Sequence, residues 1–128
     1  MFKIFKHILV YLFVITTSVL GNMPPPTFNI DDEKTAITIE AEISKYPTQI
    51  RLNLLYKLAI FYYATNPDKT IRFTDQAIDE IKDINSPKHV RLQMFCEVLK
   101  GNTFSKQGFE YMAGKAYFNA VLLTTEET

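Results

Sequence analysis

Residues 99–121, LKGNTFSKQGFEYMAGKAYFNAV, constrain what this chain can fold into more than any other stretch. Gly101 and Phe104 lie on one helical face, Gly108 interrupts the helix, and Ala113, Tyr117 and Ala120 then recur at i, i+4 and i+7. The pattern predicts a helix, a turn and a second helix. Small residues at Gly101, Ala113 and Ala120 let two antiparallel helices approach closely, and Phe104 and Tyr117 are expected to fill the space between neighbouring helical pairs.

A second unit of the same kind lies upstream in LLYKLAIFYYATNPDKTIRFTDQAIDEI. Leu58, Ala59 and Tyr62 supply apolar, small and aromatic positions on its first helix, with Thr70, Phe73 and Ala77 on its second. Its turn is Asn66-Pro67-Asp68, where proline presets the backbone of a first helical turn and Asp68 complements the helix dipole. Ala59 to Ala77 is 18 residues and Gly101 to Ala120 is 19, while Ala77 to Ala120 is 43, which places a longer connection near residues 83–89.

At these residues the chain resembles the tetratricopeptide repeat (TPR) family, whose units of about 34 residues carry a small residue, an aromatic, a turn glycine, an alanine, an aromatic and an alanine in this order. It departs from the family pattern at Lys100, where a leucine is usual, and at Glu97, where a large apolar residue is usual. The stretched repeat with its N-P-D-K turn is similar to the helical sensory regions of bacterial signalling proteins such as sensor histidine kinases and transcriptional regulators. The resemblance implies an all-α fold, a short α-solenoid of antiparallel helical hairpins with about two repeats and a leading helix across residues 31–128. It also implies a concave face lined by the first helix of each pair, the surface on which repeat proteins take up peptides. By helical phase that face receives Asn53, Tyr56, Ile60 and Tyr63 from one pair and Phe95, Asn102, Ser105 and Lys106 from the other. Aromatics supply rigid contact area and amides bond a peptide backbone; simple packing is the competing explanation for Tyr56, Ile60 and Phe95. Asn102 and Lys106 alone do not form the lysine and asparagine clamp with which some relatives hold a terminal carboxylate.

The rest of the chain fits around this core. Residues 1–21 begin with Lys3 and Lys6, lack acidic residues and continue into an apolar run of about 13 residues that ends in small ones, the pattern of a signal peptide cleaved after Gly21. Thr16, Thr17 and Ser18 lengthen the run enough to keep an uncleaved membrane anchor over residues 4–20 as the alternative. Either way an exported protein, periplasmic or secreted, is expected. Three consecutive prolines make residues 22–30 an extended linker. Asn29 or Asp31 then caps a helix starting near Asp32, although the partial alternation of Ile37, Ile39, Ala41 and Ile43 also fits a strand. An amphipathic helix follows from Thr48, apolar around much of its girth, and another runs from Pro67 to about Ile84 with Lys69, Arg72, Asp75, Asp79, Glu80 and Lys82 toward water. Arg72 with Asp75, and Asp79 with Lys82, are spaced to pair along that helix.

A chain of 128 residues, 47% hydrophobic with formal charge +0, provides for one small domain and shows no basic stripe for nucleic acid. One cysteine excludes an internal disulfide and any multi-cysteine zinc site. His7 falls in the leader, His89 is expected to be a solvated or capping turn residue, and Cys96 a buried small hydrophobe. Asp75, Asp79 and Glu80 stand on a polar helix face that solvation explains, and no phosphate-binding, hydrolase or metalloprotease motif occurs. No enzyme, cofactor or metal is therefore expected. The expected function is a non-catalytic module that binds a protein or peptide; its rival is the input region of a membrane-bound signalling protein. The final helix, Phe109 to about Leu123, leaves Phe118 and Leu122 as an apolar patch for self-association or a partner.

Overall fold

The computed structural model describes residues 30–126; the expected signal peptide over residues 1–21, His7 and all but the last residue of the expected linker over residues 22–30 lie outside the described residues. Five α-helices and two short 3₁₀ turns account for most of what is described, with no strand among the described residues. They are α1 (Glu33–Glu42), α2 (Thr48–Tyr62), α3 (Pro67–Ile84), α4 (Val90–Lys106) and α5 (Glu110–Glu126). The 3₁₀ turns, Ile43–Lys45 and Pro87–His89, precede α2 and α4. Two compact units divide between Leu54 and Leu55, within α2.

In the first unit, the alternating isoleucines of residues 37–43 are helical, and the start signal decides this. Asp32, and not the expected Asn29 or Asp31, is the N-cap, its carboxylate accepting the Thr35 amide at 2.7 Å. The corner into α2 is held by Arg51, whose guanidinium donates to the Tyr46 carbonyl at 2.7 Å and to Thr48 Oγ1 at 3.3 Å. The first of those bonds satisfies the Tyr46 carbonyl beside Pro47.

The second unit comprises the later part of α2 followed by α3, α4 and α5. Asn66 caps α3 by accepting the Lys69 amide at 3.2 Å, with Pro67 and Asp68 in the first turn as the sequence requires. At its other end Asn85 takes a left-handed conformation, φ 47°, and returns its amide to Ile81. The hairpin between α2 and α3 closes on small and hydroxylated residues. Fully buried Thr70 donates its hydroxyl to the Ala59 carbonyl at 2.8 Å, and the rings of Tyr62 and Phe73 stack at 6.2 Å. Leu55, Leu58, Ala59, Ala77, Ile78 and Ile81 complete this part of the core.

The hairpin of α4 and α5 turns at Gly108, φ 83°, through a complete Schellman motif. Phe109 donates its amide to the Phe104 carbonyl at 2.9 Å and Gly108 donates to Ser105 at 3.0 Å, while the two phenyl rings meet edge to face at 6.4 Å. Phe104 therefore staples its own turn. Tyr117 also packs within the hairpin: its ring lies across buried Gly101 and its hydroxyl donates to Asn102 Oδ1. The Tyr117 ring fits there because Gly101 has no side chain to meet it. Ala113, Ala116 and Ala120 form the buried side of α5.

Candidate peptide-binding face

Two aromatic contacts join the later turns of α2 and the turn residue that follows it to α4. The Tyr56 and Phe95 rings stack with centroids 6.2 Å apart and planes at 27°, and Lys106 Nζ lies 4.6 Å from the centroid of Tyr63 and 3.5 Å from its backbone carbonyl. These contacts set α2 and α4 side by side, with Ile60 49% exposed and Phe95 44% exposed along them. Ser105 and Lys106 are exposed at the far end of α4. Tyr56 is half-buried, and its phenol is pushed above its ordinary pKa by that burial, with neighbouring Cys96 adding to the effect. The hydroxyl therefore stays protonated at neutral pH and acts as a hydrogen-bond donor.

Of the eight residues assigned to the face by helical phase, Tyr56 and Ile60 lie on α2 with Tyr63 in the turn just past its end, and Phe95, Ser105 and Lys106 lie on α4. Asn102 is exposed on α4 but its amide oxygen is engaged by Tyr117, so it serves the α4–α5 hairpin. Asn53 is exposed and belongs to the first unit.

Other polar residues behave differently from the sequence reading. Asp75 pairs with Lys100 of α4 at 2.6 Å, across helices, where its own-helix neighbour Arg72 was expected; the Arg72 guanidinium instead lies 4.8 Å from the Phe73 ring. His89 is buried in its 3₁₀ turn and not solvated; burial, with Lys88 nearby, lowers its pKa. Glu97 is only 3% exposed and accepts a hydrogen bond from the Asn119 amide at 3.3 Å. Burial raises its pKa, Lys100, the Asn119 bond and Lys82 oppose that, and Asp75 adds to it. Its departure from the repeat pattern was the available signal. The position is buried as an apolar residue would be, and an ion-pair and amide environment takes the place of hydrocarbon.

Glu97 and Asn119 also border a cleft of ≈ 460 Å³ with Gln93, Lys82 and the apolar Ile81, Val90 and Leu123. Cys96 is fully buried, and desolvation with Glu97 close by pushes its thiol up to about 12, so it carries no thiolate chemistry. Among the described residues no group of three or more His, Cys, Asp or Glu is placed to hold a metal ion, and no helix is long and apolar enough to cross a membrane. Compared with known proteins, the chain matches no family model, no curated protein and no solved structure.

Proposed function

We propose that this chain is an exported, non-catalytic interaction module built of TPR-like helical hairpins, and that it binds an extended peptide along the face shared by α2 and α4. One observation carries the reading: Ile60 and Phe95 stand half-exposed on adjacent helices whose register is fixed by the Tyr56–Phe95 and Tyr63–Lys106 contacts. Such a face presents apolar anchors for alternate side chains of a peptide, with Ser105, Lys106 and the Tyr56 hydroxyl available to its backbone or acidic groups. The two consecutive hairpins and the glycine and alanine contacts between their helices support the repeat architecture. In this reading residues 1–21 direct export, and the module works as a scaffold or sensor in the periplasm or outside the cell.

Selection from a random-peptide display library against the full chain tests the proposal. The wild type enriches a consensus with at least one aromatic or aliphatic anchor, and Ile60→Asp and Phe95→Ala bind the enriched peptides about tenfold more weakly or worse. Equal binding by wild type and both variants would overturn it.

A further inference from the structure

The side of α5 opposite its buried alanines is apolar along its length. Tyr111 is 77% exposed, Phe118 61% and Val121 59%, and Leu122 continues the stripe; Lys115 stands among them as its charged member. Residues 111, 114, 118, 121 and 125 follow the three-and-four spacing of a helix–helix seam. Two observations say what covers it. First, Gly114 sits in this stripe inside a helix, where glycine is among the least favourable residues, and a β-carbon there would meet nothing within 4 Å. Packing among the described residues therefore gives no reason for it, whereas close approach of another helix does.

Second, Gly114 and Phe118 lie two residues either side of Ala116. An antiparallel two-fold centred there seats Phe118 of each copy in the Gly114 notch of the other and sets Tyr111 against Val121. Knob and hole are supplied by one surface, which is the self-complementarity that a two-fold dimer demands.

We infer that α5 packs antiparallel against α5 of a second copy of this chain, with Phe118 in the partner's Gly114 notch. Burying the exposed parts of this stripe removes on the order of 500 Å² per copy, near the lower bound for a specific interface, so a weak, reversible dimer is expected. The stripe shares no residue with the α2–α4 face.

Sedimentation velocity of the full chain up to about 100 µM tests this. The wild type is expected to pass from monomer to dimer, Phe118→Asp to stay monomeric, and Gly114→Leu to dimerise about tenfold more weakly or worse. Gly114→Leu is the stricter variant, because leucine favours the isolated helix and its helical circular dichroism should equal or exceed the wild type. Should Phe118→Asp lose its fold, Gly114→Leu decides alone. A wild type that stays monomeric throughout, or a dimer left intact by Gly114→Leu, as when another segment of the chain mediates association, would overturn the inference.

Discussion

Tyr117 crosses Gly101 so closely that a β-carbon on Gly101 would lie 2.5 Å from Tyr117 Cε1. The ring is held there by its hydroxyl, which donates to Asn102 one residue further along α4. Two features that the sequence presents as separate repeat positions are one contact.

Gly101→Ala sets two effects against each other. Alanine favours the helix by about 1 kcal/mol, whereas displacing the ring and its hydrogen bond costs about 1–3 kcal/mol, so the variant is expected to be net destabilised. In a Tyr117→Ala background the same change becomes stabilising by about 1 kcal/mol, because the obstruction is gone. Urea unfolding of the four proteins reads both signs. Destabilisation of the same size in both backgrounds would show that the ring is not what excludes the methyl group.

Gly108 meets no neighbour within 4 Å, so the cost of Gly108→Ala is purely conformational. At φ 83° an L-residue is strained, and a loss of about 1–2 kcal/mol is expected, with Gly108→Asn losing less. Equal stability of all three would contradict the left-handed cap.

Glu97 links the fold to pH. Burial lifts its folded pKa above the ordinary value of 4.5, so the folded state holds this proton more tightly than the unfolded chain does. Its contribution favours folding below the unfolded pKa and is lost as pH rises through the folded one. Glu97→Gln keeps an acceptor for Asn119 and removes the charge. The variant should therefore gain on the wild type at about pH 7 and lose that advantage toward about pH 4. A stability difference that grows in the variant's favour on acidification would refute the assignment.

Cys96 should resist thiol reagents in the native protein and react only on unfolding, since it is fully buried with its pKa at about 12. Alkylation followed by mass spectrometry across a urea series should track the global unfolding curve. Fast labelling without denaturant would mean that α4 opens locally.

Much of the second unit was legible because its signals are local. Asn66, Pro67 and Asp68 act within one turn of each other, and α3 spans the residues they mark, Pro67–Ile84. Gly108 likewise announces its own turn. In the first unit the helix was legible but its cap was not: the sequence points to Asn29 or Asp31, whereas Asp32 holds the Thr35 amide. What helical phase could not give is which neighbour a side chain meets. Tyr117 and Phe104 carry their expected spacing yet close their own hairpin, Asp75 reaches Lys100 on another helix, and His89 is buried by packing that a turn sequence does not encode. For the candidate face, phase put Tyr56 and Phe95 on helices that do meet, while the capture of Asn102 by Tyr117 depends on side-chain reach across the hairpin.

Whether the α2–α4 face holds a peptide is tested most directly by photocrosslinking. A benzophenone residue installed at Ile60, and separately at exposed Gln76 on α3, reports which surface of the full chain a display-selected peptide touches. The account predicts a covalent adduct from position 60 that excess unlabelled peptide suppresses, and none from position 76. Equal adducts from both positions, or an adduct from position 76 alone, would contradict it.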